Sequence, residues 1–200
     1  MTKFFFDDKA AKKAIGFIET FVTHTKGELT GKALKLEEWQ SKIVGDIFGW
    51  KNKETNLRKY RTVFIEVPRK NGKSTLCAAI GLYMLFADEE RGSEVYSAAG
   101  DRQQAGIVFE IAKGMILQSP ELSERGKVFR NSIVNESKGN YYQAISSDSK
   151  TKHGFNANCI IFDELHTQPN RDLWDTLTTS TGSRRQPLTI AITTAGYDKQ

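Results

Sequence analysis

Two hundred residues, 38% hydrophobic and 26% charged, suit one compact globular unit with a sizeable core rather than a disordered chain. A net charge of +5 permits a polyanionic partner without requiring one. The longest apolar runs, such as Cys159 to Phe162 and Leu188 to Ile192, are too short to cross a bilayer, and the N-terminus, which contains Lys and Asp, lacks the layout of a secretion signal, so an intracellular setting without membrane is expected.

In chain order, apolar residues recur at helical steps through Ala10, Ala14, Phe17, Ile18 and Phe21, which predicts an amphipathic helix over Phe4 to Val22. A polar loop containing glycine follows, from Thr23 to Lys35, and Leu36 to Trp50 repeats the helical pattern. A very polar stretch, Lys51 to Arg61, precedes a strand over Thr62 to Val67. Leu76 to Ala87 reads as a helix, Glu94 to Ala98 as a strand and Arg102 to Gln118 as a helix. Lys127 to Val134 and Tyr141 to Ile145 are two further strands about a polar turn. Cys77 and Cys159 lie in apolar surroundings with no Cys or His at metal-ligand spacing, which favours buried thiols over a disulfide or zinc site. The apolar run ending at Phe162, a helix near Leu173 to Thr179 and a strand over Leu188 to Thr193 complete the pattern. Strands alternating with helices predict an α/β fold with a mostly parallel central sheet flanked by helices on both faces.

The strand over Thr62 to Val67 leads into Pro68-Arg69-Lys70-Asn71-Gly72-Lys73-Ser74-Thr75 and then a helix. A triphosphate needs this order, because unpaired N–H groups at the helix start point at phosphate. In it Gly72 admits the phosphate to the backbone, Lys73 neutralises β and γ oxygens, and the Ser74 hydroxyl is placed for Mg²⁺. The usual first glycine of such a loop is absent, its position being Val67. Arg69 and Lys70 add positive charge instead, and Arg69 is the first candidate to stabilise charge developing on the γ-phosphoryl group.

Further along, Asp163-Glu164 ends an apolar run. An Asp there can hold Mg²⁺ while the adjacent Glu orients or deprotonates the attacking water. The phosphate loop and this acidic pair are expected to end adjacent strands at the carboxyl edge of the sheet, where open α/β sheets bind ligands. Thr193-Thr194-Ala195-Gly196, after the last strand, places hydroxyls and a glycine where the presence of γ-phosphate can be sensed.

Trp39-Gln40, the Arg-bearing loop Val67 to Thr75, Asp163-Glu164-Leu165-His166 and Thr193 to Gly196, in this order and spacing, resemble the ATPase half of the large terminase subunit of tailed bacteriophages. The resemblance spans nearly the whole chain. It implies a P-loop NTPase fold of ASCE type, with residues 1–60 as N-terminal helices and an adenine-side region and residues 61–200 as the P-loop core of one ATPase domain. It also implies ATP and Mg²⁺ as ligands, double-stranded DNA as cargo, a homo-oligomeric ring on the portal of the capsid, a small terminase subunit as partner, and action in the host cytoplasm rather than in the mature virion. By position, Gln40 would read the adenine edge and Trp39 would pack in the core. Pro68 to Thr75 would bind nucleotide, Arg69 would act in cis, and Ser74 and Asp163 would hold the metal. Glu164 would serve water, and Thr193 to Gly196 would couple hydrolysis to movement. A residue supplied by the neighbouring subunit would be Lys152, His153, Arg171, Arg184 or Arg185. No acidic cluster for a two-metal nuclease is found, so nuclease activity is not expected of these residues.

Two other readings remain open on sequence alone. One is a helicase-like ATPase, since Gln40 and Asp163 to His166 also suit unwinding motors. The other is a nucleic-acid-binding module without turnover, resting on Lys51 to Arg61 with Trp50 and Tyr60 as stacking groups.

Overall fold

The computed structural model describes residues 2–147, 154–164 and 170–194. A short antiparallel pair, β1 (Phe4–Phe6) and β2 (Trp50–Asn52), encloses α1 (Asp8–Phe21) and α2 (Glu38–Gly49). The sequence pattern had extended the first helix back to Phe4. Asp7 stops it there by accepting the Ala10 N–H at 3.1 Å as N-cap, and the three phenylalanines before it are extended and pair with β2.

The main sheet is formed by β3 (Thr62–Glu66), β4 (Glu94–Ala99), β5 (Lys127–Val128), β6 (Ser132–Asn135), β7 (Asn140–Ser146), β8 (Ala157–Asp163) and β9 (Leu188–Thr193), in the order β3-β9-β8-β4-β7-β6-β5. The five strands from β3 to β7 are parallel, and β6 and β5 extend the sheet antiparallel. The single strand expected over Lys127 to Val134 is thus two short strands folded back on each other, with Lys127 opposite Val134. A larger correction concerns the strand carrying the phosphate loop and the strand carrying Asp163-Glu164. They are not adjacent, because β9 is inserted between them and pairs with both, Ile65 and Cys159 facing Ile192 and Leu188 respectively.

The helices α3 (Lys73–Phe86), α4 (Arg102–Leu117) and α5 (Pro120–Arg125) complete one layer with α1 and α2, and α6 (Asp172–Thr179) lies on the other side of the sheet. Helix α3 is buried along nearly its whole circumference, from Leu76 to Phe86, which matches its unbroken apolar composition. It begins at Lys73, three residues earlier than the apolar pattern alone suggests, since the phosphate loop itself forms the first turn. Opposite, Leu173 and Leu177 of α6 cover Tyr96, Ala98, Ile160, Phe162 and Ala191. Both cysteines are fully buried free thiols, and burial raises the pKa of each well above the ordinary thiol range.

The polar stretch Lys51 to Arg61 is not an open stacking surface. The Lys59 ammonium lies over the rings of Phe4, Trp50 and Tyr60 at 5.2, 5.1 and 4.6 Å, so the two aromatics proposed to stack on bases already have a cation on their faces. The preceding residue, Arg58, is 5% exposed and forms a 2.6 Å ion pair with Asp88 just past α3. Its other terminal nitrogen donates to the Gln186 carbonyl before β9, and the guanidinium lies 5.5 Å over the Phe48 ring. This residue therefore pins the N-terminal layer to the sheet. Arg58→Ala leaves Asp88 buried without its cation and is expected to lower stability by about 3–5 kcal/mol in urea denaturation, with Arg58→Met/Asp88→Leu recovering most of the loss.

Candidate nucleotide site

The turn between β3 and α3 is built to present backbone to an anion. Gly72 caps α3 with φ +71, a left-handed conformation that costs glycine nothing, and Lys70 takes φ +68. The Asn71 carboxamide donates to the carbonyls of Pro68 at 3.2 Å and Arg69 at 3.4 Å, fixing the loop from within. The first N–H groups of α3 have no intrahelical acceptor and face the loop's concavity with the positive end of the helix dipole. Pro68, Arg69, Lys70, Asn71 and Gly72 are exposed, Ser74 and Thr75 are half-buried, and Lys73 is buried.

Three sequence-predicted residues from separate strand ends meet here. The Lys73 Nζ is 3.0 Å from Glu164 Oε1, with the two side chains 9% and 20% exposed. The other carboxylate oxygen, Oε2, accepts from the Thr194 N–H at 3.2 Å and from its hydroxyl at 3.4 Å. Glu164 itself has φ +47, a strained value for a residue with a side chain, costing about 1–3 kcal/mol and found where the surroundings over-determine a functional geometry. Thr193 is buried, and its carbonyl accepts the Val67 N–H at 3.3 Å, so the same dipeptide also holds the approach to the phosphate loop. Ala195, Gly196, Leu165, His166, Lys152 and His153 lie outside the described residues.

Asp163 ends β8 with 4% exposure, and its Oδ1 is buried with no hydrogen-bond partner among the described residues. Burial, then the neighbouring charge of Glu164, push its pKa up to about 6 against the opposing pull of Lys73. A buried, unpaired carboxylate oxygen beside a phosphate loop fits a divalent cation, whose charge would replace the missing donor. Ser74, in the first turn of α3, is the second residue present for that role.

On the other side of the loop, Gln40 is 8% exposed and lies against Gly72, where an added Cβ would be 3.5 Å from its Nε2. Its Oε1 accepts the Glu37 N–H at 3.0 Å, so Gln40 also caps α2, a task that the adenine assignment alone did not anticipate. A cleft of about 420 Å³ opens here between Leu36, Trp39, Gln40, Lys70, Gly72 and Thr75, with His24 on its wall. His24 was missed because the polar loop that carries it has no pattern tying it to the phosphate loop. Trp39 is half-buried and packs against the main core, as expected. Of the arginines considered for a neighbouring site, Arg184 donates to the carbonyls of Asn156 at 2.9 Å and Arg91 at 3.3 Å, beside the amino ends of β4 and β8, whereas Arg171 is 83% exposed.

Fold and site define a P-loop nucleotide-binding domain of ASCE type, with one strand inserted between the phosphate-loop strand and the acidic strand. The family model for the terminase large subunit, ATPase domain, matches residues 38–200. The terminase large subunit of Enterobacteria phage HK97 is 31% identical over 192 residues, which is 92% of this chain and 36% of that protein. Protein YmfN of Escherichia coli (strain K12) is 47% identical over 45 residues, 22% of this chain and 10% of that protein. Among solved structures, the HK97 large terminase superposes with a TM-score of 0.77 at 26% identity, covering 92% of this chain and 37% of that one. The Thermus phage P74-26 large terminase ATPase domain shares the fold at a TM-score of 0.56 and 18% identity, covering 72% of this chain and 63% of that one. This chain belongs to the terminase large subunit ATPase-domain family, and it spans little more than a third of the HK97 protein's length.

Because the folded state binds the Asp163 proton more tightly than the unfolded state does, stability contributed by this residue is lost as pH rises from about 4 through 6. Asp163→Asn removes the penalty. Without metal it is expected to raise stability at pH 8 by about 3 kcal/mol and to make little difference at pH 4, as read from denaturation at both pH values.

Proposed function

We propose that this chain hydrolyses ATP and that the energy drives double-stranded viral DNA into a procapsid. In this reading the chain works as a subunit of a homo-oligomeric ring seated on the portal, with a small terminase subunit as partner, in the host cytoplasm. The observation that carries the proposal is the ion pair between Lys73 and Glu164 at 3.0 Å, which brings the phosphate-loop cation and the acidic pair to one point at the carboxyl edge of the sheet. Family membership supports the same reading.

The chemistry follows from the residues present. The γ-phosphoryl group, cradled by the N–H groups of Gly72 to Thr75, draws the Lys73 ammonium away from Glu164. The Glu164 carboxylate then accepts a proton from a water molecule, whose oxygen attacks the γ-phosphorus while the β–γ bridging oxygen departs as ADP beside Lys73. Mg²⁺ held by Ser74 and Asp163 would supply charge neutralisation of the β and γ oxygens. Arg69, exposed at the loop, stabilises the charge spread over the equatorial oxygens. Gln40 donates through Nε2 to the adenine edge and uses the second lone pair of Oε1 for the adenine amino group. Thr193 to Gly196 pass the change at the γ-phosphate onward along the chain.

Two measurements test this. Magnesium-dependent ATP hydrolysis at raised protein concentration should fall by about 10²–10⁴ in kcat for Glu164→Gln with nucleotide binding kept, whereas Lys73→Ala should lose binding itself. Absence of nucleotide binding by the unaltered chain, or full activity of Glu164→Gln, overturns the reading. Gln40→Ala should weaken ATP binding several-fold while leaving GTP binding nearly unchanged. Equal losses for both nucleotides would return Gln40 to a capping role alone.

A further inference from the structure

The cleft beside the phosphate loop has a wall that the chemistry above leaves unused. His24 lines it together with Leu34, Leu36, Trp39, Gln40 and Gly72. The loop between α1 and α2 that carries His24 is folded back on itself. The His24 N–H donates to the Lys32 carbonyl at 3.0 Å, its carbonyl accepts the Gly31 N–H at 2.8 Å, and the Leu34 N–H closes the base of the loop on the Val22 carbonyl at 2.8 Å. Both neighbours of His24 are buttressed by α4. The Thr23 hydroxyl donates to Gln118 Oε1 at 3.1 Å, and Thr25 packs so close to Gly114 that a Cβ there would lie 3.0 Å from the threonine methyl.

With both backbone groups turned into the loop, what His24 offers the cleft is its half-buried ring, which makes no hydrogen bond or ion pair among the described residues. We propose that His24 packs its imidazole face against the purine base whose edge Gln40 reads, so that the loop before α2 is part of nucleotide recognition. The two residues divide the task. An edge contact chooses between bases, whereas a stacked ring adds affinity without choosing, because every base presents a π face. A ring serves this purpose only on a rigid support, and the contacts of Thr23 and Thr25 with α4 supply one. His24 precedes residue 38, where the match to the family model begins. The proposal rests on the reading of this cleft as the base site.

The test is calorimetric titration of the full chain with ATP, GTP and inorganic tripolyphosphate in the presence of Mg²⁺, beside His24→Ala, His24→Phe and His24→Asn. Alanine is expected to weaken ATP and GTP alike by about 5- to 50-fold, the scale of one base–aromatic stack, while tripolyphosphate, which has no base, binds as to the unaltered chain. Phenylalanine, which keeps an aromatic face, should hold ATP to within a few-fold. Asparagine, which keeps hydrogen bonding but loses the ring, should be as weak as alanine. Undiminished ATP affinity in His24→Ala overturns this inference and leaves the nucleotide reading standing. Rescue by asparagine and not by phenylalanine overturns it too, since the contact would then be a hydrogen bond. Loss of tripolyphosphate binding together with ATP binding in His24→Ala also overturns it, as a general loss of structure. No binding of ATP by the unaltered chain removes the nucleotide reading and this inference together.

Discussion

The Lys73–Glu164 ion pair is the contact on which the rest of the site depends. Two carboxylates at successive positions, 163 and 164, leave a buried strand at the sheet edge, and placing them there is costly unless a cation answers them. Lys73 supplies one charge, and the chain brings it in by starting α3 at the lysine itself, with Gly72 in a left-handed turn just before it. Burial and the neighbouring charge of Glu164 outweigh the pull of Lys73 on Asp163, whose Oδ1 has no hydrogen-bond partner among the described residues and whose pKa is pushed up to about 6. Asp163 thus offers an unanswered oxygen on one side of the site, while on the side of the loop the first N–H groups of α3 have no intrahelical acceptor. In the proposed reading, a triphosphate with a divalent cation would answer both at once.

The sheet order turns that local balance into a device. Because β9 separates β3 from β8, its end touches both motifs: the Thr193 carbonyl takes the Val67 N–H and Thr194 donates to Glu164. Under the proposed function, a change in which partner Lys73 holds would reach the last residues of β9 without any element having to travel. The same strain that a stability argument counts as a loss, at Glu164 and at Asp163, is what a site loaded with nucleotide would use, a pattern expected where function conflicts with local rules.

How much of this was legible depended on range. Leu188 to Thr193 and the core of α4 were plain because a strand buried on both faces and an amphipathic helix write their period into consecutive residues. The phosphate loop and Asp163-Glu164 were plain because their chemistry needs particular residues in particular order. Phe4 to Phe6 read as helix because three aromatics satisfy either period, and only pairing with β2, far along the chain, decides between them. The position of β9 between β3 and β8 was misjudged for the same reason, since strand order is a property of the assembled sheet. Likewise nothing near Arg58 announces Asp88 or Gln186, and nothing near Gln40 announces that its carbonyl oxygen is engaged at Glu37. Thr194 was singled out for its hydroxyl, but its partner became visible only once three strand ends were in place.

The account stands most directly on where Lys73 goes. A crystal structure of the chain with Mg²⁺ and a non-hydrolysable ATP analogue should show the Lys73 ammonium on phosphate oxygens and no longer at Glu164, with Asp163 facing the metal. An analogue bound with the Lys73–Glu164 pair intact, or bound away from Gly72 to Thr75, would contradict it.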